Sequence, residues 1–286
     1  MNFYKNLNEA FVKSLKYVAD HGQTVHSRGR SQRESLFYSL CIEDPTALDI
    51  DVPARKFNPD YAITEWLWYM SRNPQVDNIG KLANIWLKIQ DRNGECESNY
   101  GYYLLSEQWQ WVKNELINDP DTRRATIVIN QPYHKGKNKE DYPCTQYLQF
   151  FIRDNELHLG ANMRSNDAVF GFCNDVFTFS MFQQLMLNDI NAQRKQNATT
   201  TKLKLGRYYH TAGSFHVYKT HWAMMDKILN NYYLHKERDG YPDLNKYKLR
   251  STITSAHRKE VCLPSHAMNK DEIKYFVDNI KGVIYV

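Results

Sequence analysis

DYPCTQYLQFFIRDNELHLGANMRSNDAVFGFCND, residues 141–175, decides the reading of this chain. Just after a proline it carries a cysteine, Cys144. It continues as TQYLQFFIR and ELHLGANM, two strand-like segments on either side of Asp154-Asn155. Strand-like runs joined by such a pair predict a β-hairpin. Beyond the hairpin stand Arg164, Ser165, Asn166 and Asp167 together, and the stretch closes on Asp175. A thiol beside an arginine-led polar cluster asks for a chemical explanation.

Working outward, the flanks read as helix and strand in alternation. Residues 4–20 form an amphipathic helix, with Phe11, Leu15 and Val18 at helical spacing. HSRGRSQRES (26–35) reads as a polar, basic loop. DYAITEWLWYMSR (60–72) places Ile63, Trp66, Leu67 and Met70 at helical intervals. RRATIVIN (123–130) reads as a strand, and PYHKGKNKEDYP (132–143) as a loop. Val176 to Ile190 predicts a helix with Met181, Leu185, Met186 and Ile190 on one face, followed by a flexible loop, NAQRKQNATTTK (191–202). That loop holds a glycosylation sequon, Asn197-Ala198-Thr199, which a cytosolic chain leaves unused. SFHVYKTH (214–221) alternates like a strand, and Asn269 with Glu272 predicts a capped helix before IKYFVDNI. The whole reads as an α+β (mixed α/β) protein, one domain over residues 1–286, with its strands in the middle.

The 286 residues include 20 Tyr, 13 Phe and 6 Trp, a composition that builds a core and argues against disorder. The net charge of +5 has two readings, a solvated lysine-rich surface or an anionic ligand such as a phosphate. The five cysteines (Cys41, Cys96, Cys144, Cys173 and Cys262) are odd in number and lack CxxC spacing. A disulfide framework or a metal site is therefore not expected. MNFYKNLNEAFVKSLKYV does not have the form of a signal peptide, and no apolar run reaches membrane-spanning length. The expectation is a cytoplasmic protein, of a host cell if the chain is viral.

The quoted pieces carry a resemblance. PC before a strand, NMRSND, VFGF.ND and GSFHVY.TH follow one another as in the thymidylate synthase superfamily. EWLW (65–68), NG…NYG (93–101) and DPDTRR (119–124) fall in the same order. The likeness spans about residues 26–222, with 223–286 divergent. Within the superfamily it is most similar to the branch of bacteriophage deoxycytidylate hydroxymethylases. The resemblance implies a central, mostly antiparallel sheet flanked by helices, and 5,10-methylenetetrahydrofolate as co-substrate. It also implies a pyrimidine deoxynucleotide monophosphate as substrate, and a homodimer. Nucleic acid is not an expected partner.

It also implies roles. Carbon 5 of a pyrimidine is a poor nucleophile until a thiolate adds at C6. Cys144 falls at the family's nucleophile position, although a lone cysteine is otherwise an inert core residue. Arg164 matches a phosphate ligand whose field also lowers the thiol pKa. Arg28, Arg123 and Arg124 resemble further phosphate ligands, the paired arginines reaching in from a second subunit. Taken alone, Arg123-Arg124 would be a solvated basic pair. Ser165 meets the phosphate or the base, and His216 and Tyr218 meet the ribose. Tyr100 lies near the C5 proton, and Glu65 organises water and proton transfers; its bland reading is a solvent-facing helix carboxylate. Asp167, Trp86 and Gly171 fall on the folate side, and Cys173 is structural.

Asp175 stands where thymidylate synthases carry asparagine. An amide accepts from uracil N3–H and donates to O4. Cytosine inverts that edge, and a carboxyl group suits it. The expected reaction is therefore hydroxymethylation of dCMP at C5. The C-terminal DNIKGVIYV does not match the family's closing tail, which favours water over hydride at the last step. Thymidylate synthase, a dUMP hydroxymethylase, a dCMP C5 methylase and a non-catalytic nucleotide- or RNA-binding relative remain as alternatives.

Overall fold

The computed structural model describes residues 1–136, 141–196, 201–239 and 244–286. Its elements run β1 (Asn2–Tyr4), α1 (Leu7–His21), β2 (Gln23–Ser27), β3 (Arg30–Ile42), α2 (Pro59–Ser71), α3 (Ile79–Leu82) and α4 (Ile85–Ile89). They continue as α5 (Gly101–Leu104), α6 (Glu107–Asn118), β4 (Thr126–Val128), β5 (Thr145–Arg153), β6 (Glu156–Met163) and β7 (Asn166–Asp167). The last are α7 (Gly171–Gln196), β8 (Lys204–Tyr218), α8 (Trp222–Asp239) and α9 (Lys270–Ile284).

The expected hairpin forms. Asp154 and Asn155 both take left-handed backbone, φ 51° and 60°, which short polar side chains tolerate and which matches strand twist. It joins β5 to β6, whose Leu148, Phe150, Leu157 and Leu159 are fully buried on one face. The sheet order is β1-β3-β8-β6-β5-β4, with β2 added on β3 and β7 on β8. Antiparallel pairing prevails, and β1–β3, β6–β8 and β7–β8 are parallel. α1, α6 and α7 cover one face. On the other, Tyr147, Phe151, Arg153, Arg207 and Tyr209 line a shallow depression of about 570 Å³.

α7 is buried nearly all round, as a helix through the middle of a core must be. Phe172, Phe177, Phe179 and Phe182 are wholly buried, each contributing about 1.5–3 kcal/mol by leaving water. Its polar side chains serve the backbone of its neighbours. Gln183 donates to carbonyls of Leu157 and Gly206, fastening the helix across β6 and β8. Gln184, Asn188 and Asp189 bind Tyr247, Leu249, Arg250, Ile253 and Ser255. The C-terminal segment is thus held against α7. Asn269 and Glu272 form the expected capping box on α9.

Three expectations are corrected. Residues 26–35 are not a loop but the tip and strands of the β2–β3 hairpin, turning at Arg28 (φ 50°) and Gly29 (φ 72°). β2 is mostly exposed on both faces, and the part of β3 it pairs with, Arg30 to Glu34, is polar throughout, so no apolar alternation marks it. The helix expected over 176–190 runs from Gly171 to Gln196, its first turn formed by the last residues of the VFGF.ND motif and its last by residues read as loop. The strand expected over 123–130 is limited to Thr126–Val128, with Arg123 and Arg124 before it. The sequon lies outside the described residues. Among those described, no helix is long and apolar enough to cross a membrane.

Candidate active site

A cleft of about 1280 Å³ opens where the ends of β7 and β8, the start of α7 and the side of α2 meet. Among the described residues, all that line it lie between Gly29 and His221. Cys144, half-buried, is the one cysteine among them, and the other four, none in a disulfide, lie elsewhere. It sits just before β5. Its carbonyl accepts from Arg164 N–H at 2.8 Å and its own N–H donates to the Tyr100 hydroxyl at 3.3 Å. The Arg164 Nη2 group lies 3.6 Å from Sγ and also donates to the Tyr142 carbonyl, while Nε donates to Pro143. The thiol pKa is nevertheless raised: burial dominates, Arg164 pulls it down, and Asp175 and Asp141 push it up. The arginine opposes the cost of burial but does not overcome it.

On α2, Tyr61, Glu65 and Tyr69 follow one another every four residues and share a face. The Tyr69 hydroxyl donates to Glu65 Oε1 at 3.3 Å, and Trp86 Nε1 donates to the Tyr61 hydroxyl at 3.0 Å. Glu65 Oε2 is buried with no partner. Burial first, and the Asp175 charge second, push the Glu65 carboxyl up to about 8. The Tyr69 and Tyr100 rings stack at 5.4 Å. Gly101 makes that possible, because a Cβ there would stand 1.7 Å from the Tyr69 carbonyl oxygen.

Asp175 projects from the second turn of α7 into the same cleft. Asn166 Nδ2 donates to its Oδ2 at 2.7 Å. Burial pushes the carboxyl up to about 7, against the lowering effect of the Asn166 bond. Asn174 also lines the cleft, but Asp175 is the one tied into the site. His216 and Tyr218 alternate on β8 and pack edge to face at 4.7 Å. His216 Nε2 is buried without a partner, and burial lowers the imidazole pKa. Ser165, Asp167, Gly171, Trp86 and Tyr100 all line the cleft.

The arginines divide. Arg28 sits at the hairpin tip, near enough to lower the Cys144 pKa, but Arg30 lines the cleft, its guanidinium 5.8 Å from the Tyr218 ring. Arg123 and Arg124 line no part of it. Arg124 pairs with Glu115 at 2.7 Å, its side chain 72% exposed. The chain's own cleft therefore lacks the arginine pair that the resemblance supplies. The sequence reading missed Tyr61, Tyr69, Arg30 and the Asn166 bond. Only the α2 tyrosines left a signal, their four-residue spacing about Glu65.

Residues 9–261 match the thymidylate synthase family. The chain belongs to that family. It is accordingly a folate-dependent one-carbon transferase, and the family match is longer than the 26–222 expected from motifs alone. It is similar to the deoxycytidylate 5-hydroxymethyltransferase of Enterobacteria phage T2, 33% identical over 194 residues, 64% of this chain and 77% of the relative. The enzyme of the same name from phage T4 is 34% identical over 179 residues, 59% of this chain and 71% of the relative. The deoxyuridylate hydroxymethyltransferase of Bacillus phage SP01 is 24% identical over 259 residues, 84% of this chain and 65% of the relative. In structure, thermostable thymidylate synthase A from Bacillus subtilis shares the fold, with TM-score 0.64 at 19% identity over 83% of this chain and 86% of that one.

Thymidylate synthase family members use methylenetetrahydrofolate, and the residues of this cleft fit it. Leu82, Ile85, Trp86 and Phe170 make an apolar wall for a planar ring, with Ile85 52% exposed at the lip. The Asp167 carboxylate lies beside them, one oxygen capping Val169 N–H at 2.9 Å. Among the described residues, none after His221 lines the cleft, and Val286 N–H donates to the Lys248 carbonyl.

Proposed function

We propose that this enzyme is a deoxycytidylate C5 hydroxymethyltransferase, converting dCMP and 5,10-methylenetetrahydrofolate to 5-hydroxymethyl-dCMP. The observation that carries the reading is the Asp175 carboxyl, held by Asn166 in the cleft that also holds Cys144 and Glu65. A carboxyl protonated near neutral pH donates to cytosine N3 and accepts from the 4-amino group, satisfying both.

The Cys144 sulfur adds to C6, and the electron pair moves to C5. The bound folate supplies a methylene carbon at the oxidation level of formaldehyde. C5 bonds to that carbon as one of its bonds to a folate nitrogen breaks; loss of the C5 proton, with Tyr100 beside it, then expels tetrahydrofolate from the remaining nitrogen and leaves an exocyclic methylene on the pyrimidine. Water adds to the resulting exocyclic carbon of the pyrimidine, and elimination of the Cys144 thiolate restores the ring. Glu65 is placed to move protons in these later steps: its pKa of about 8 leaves it protonated at neutral pH, and its free Oε2 is the available contact. Arg28, Arg30, Arg164 and Ser165 take the phosphate, and His216 Nε2 and the Tyr218 hydroxyl take the ribose. Asp167, Trp86 and Gly171 hold the folate.

A homodimer fits the remaining arginines. Arg123 and Arg124, outside their own cleft, would enter a partner's, and the sheet face that carries the Tyr147–Arg207 depression is the surface for the contact. Residues 1–286 act as one domain, in the cytoplasm, of the host cell if the chain is viral.

Incubation with dCMP, dUMP or CMP and methylenetetrahydrofolate, followed by mass spectrometry, tests the assignment. Addition of CH2O to dCMP is expected. Addition of CH2 would make it a methylase, and preference for dUMP would return it to the uracil branch that phage SP01 represents. Glu65→Gln is expected to lower kcat by on the order of 10²–10⁴ while changing KM for dCMP only a few-fold. A loss confined to KM would make Glu65 a binding residue only.

A further inference from the structure

We propose that Tyr208, His210 and Asn166 form a buried relay that makes the two oxygens of the Asp175 carboxyl unequal, and that this inequality lets the cleft tell cytosine from uracil. The inference rests on the cytosine-nucleotide reading above. The relay is continuous. The Tyr208 hydroxyl lies 2.9 Å from His210 Nδ1, His210 Nε2 lies 3.0 Å from Asn166 Oδ1, and Asn166 Nδ2 lies 2.7 Å from Asp175 Oδ2. Tyr208 and His210 are wholly buried and Asn166 is 3% exposed.

The polarity follows from the groups themselves. An amide oxygen only accepts, so His210 carries its proton on Nε2. Burial drives the imidazole pKa down to about 3, so Nδ1 is bare and accepts from Tyr208. The reverse polarity would leave the Tyr208 proton without an acceptor in the core. Asn166 therefore turns its amino group to Asp175.

A neutral carboxyl left to itself is ambiguous. Protonated on one oxygen, it donates to cytosine N3 and accepts from the 4-amino group. With the proton on the other oxygen it accepts from uracil N3–H and donates to O4. Asn166 removes that freedom: Oδ2, facing an N–H donor, stays the acceptor oxygen, and the proton belongs to Oδ1. Asn166 is thus a positioning residue that acts through Asp175, and His210 and Tyr208 set which way it points.

The test compares kcat/KM for dCMP and dUMP, by tritium release from C5 with methylenetetrahydrofolate present, in the wild type, Asn166→Leu and Tyr208→Phe. Wild type is expected to prefer dCMP. Asn166→Leu should lower the dCMP-to-dUMP ratio by about 10-fold or more, with the dUMP value rising. Tyr208→Phe, which keeps the ring but lets the relay run in either direction, should move the ratio the same way by less. General structural damage lowers both substrates together and cannot raise dUMP. If the wild type prefers dCMP and the ratio stays put in the variants, the relay is wrong and the cytosine reading stands. A wild type that does not prefer dCMP removes the reading and the inference with it. Should Asn166→Leu fail to fold, Tyr208→Phe decides, and an unmoved ratio overturns the proposal.

Discussion

Cys144→Ser is expected to stop tritium release from C5 of the nucleotide, with a loss on the order of 10⁴-fold or more, while the protein keeps its fold and binds dCMP. The backbone of residue 144 is fixed independently of its side chain. Its carbonyl takes Arg164 N–H and its N–H goes to Tyr100, and both bonds survive the exchange. What disappears is the sulfur. Burial raises the thiol pKa, and Arg164, 3.6 Å away, is the first influence that lowers it. A serine hydroxyl is a far weaker acid, and one guanidinium cannot ionise it in the same place. Addition to C6 therefore fails and C5 keeps its hydrogen. Tritium release at a rate near that of the wild type would remove Cys144 from the mechanism. The other four cysteines line no part of the cleft, so none could take over the role.

What the sequence made legible follows from where periodicity meets burial. The hairpin was readable because Leu148, Phe150, Leu157 and Leu159 alternate into the core and Asp154-Asn155 fits one kind of turn. The β2–β3 hairpin was not, because β2 is wet on both faces and the part of β3 it pairs with is polar, so neither carries apolar alternation, and its register decides that Arg30 lines the cleft. The cluster of Cys144, Glu65, Tyr100 and Asp175 was reachable through the family resemblance, and the structure brings all four to one cleft. The relay behind Asp175 was beyond reach. Asn166 and His210 are 44 residues apart and meet only because β7 and β6 both pair with β8. Such contacts depend on sheet topology, to which local pattern is blind.

Asp175→Asn is expected to move the substrate preference towards dUMP. The exchange keeps size, so the helix start remains. With its amino group turned towards O4, the new amide accepts from N3–H of uracil and donates to O4, and Asn166 turns its oxygen to meet that amino group. Turned over, the amide still donates to cytosine N3 and accepts from the 4-amino group, so what changes most is uracil, whose O4 faces the acceptor oxygen Oδ2 in the wild type and a donor in the variant. One unpaired buried group costs about 1–3 kcal/mol, so the dCMP-to-dUMP ratio of kcat/KM should fall about 10- to 100-fold, with the dUMP value rising. The unliganded protein gives a second readout. The folded pKa of Asp175, about 7, lies above its ordinary value of 3.8, so the fold holds the group protonated where the unfolded chain ionises it. That difference costs no stability below the unfolded value, grows as pH rises, and is complete above the folded one. The variant carries no such cost, and it also relieves Glu65, which the Asp175 charge helps to push up. Its Tm should therefore match the wild type near pH 4 and exceed it increasingly up to about pH 7. A Tm difference that ignores pH would mean that Asp175 is ionised and solvated in the cleft. A substrate ratio that does not move would mean that the carboxyl does not read the base, and the assignment to cytosine would fall with it.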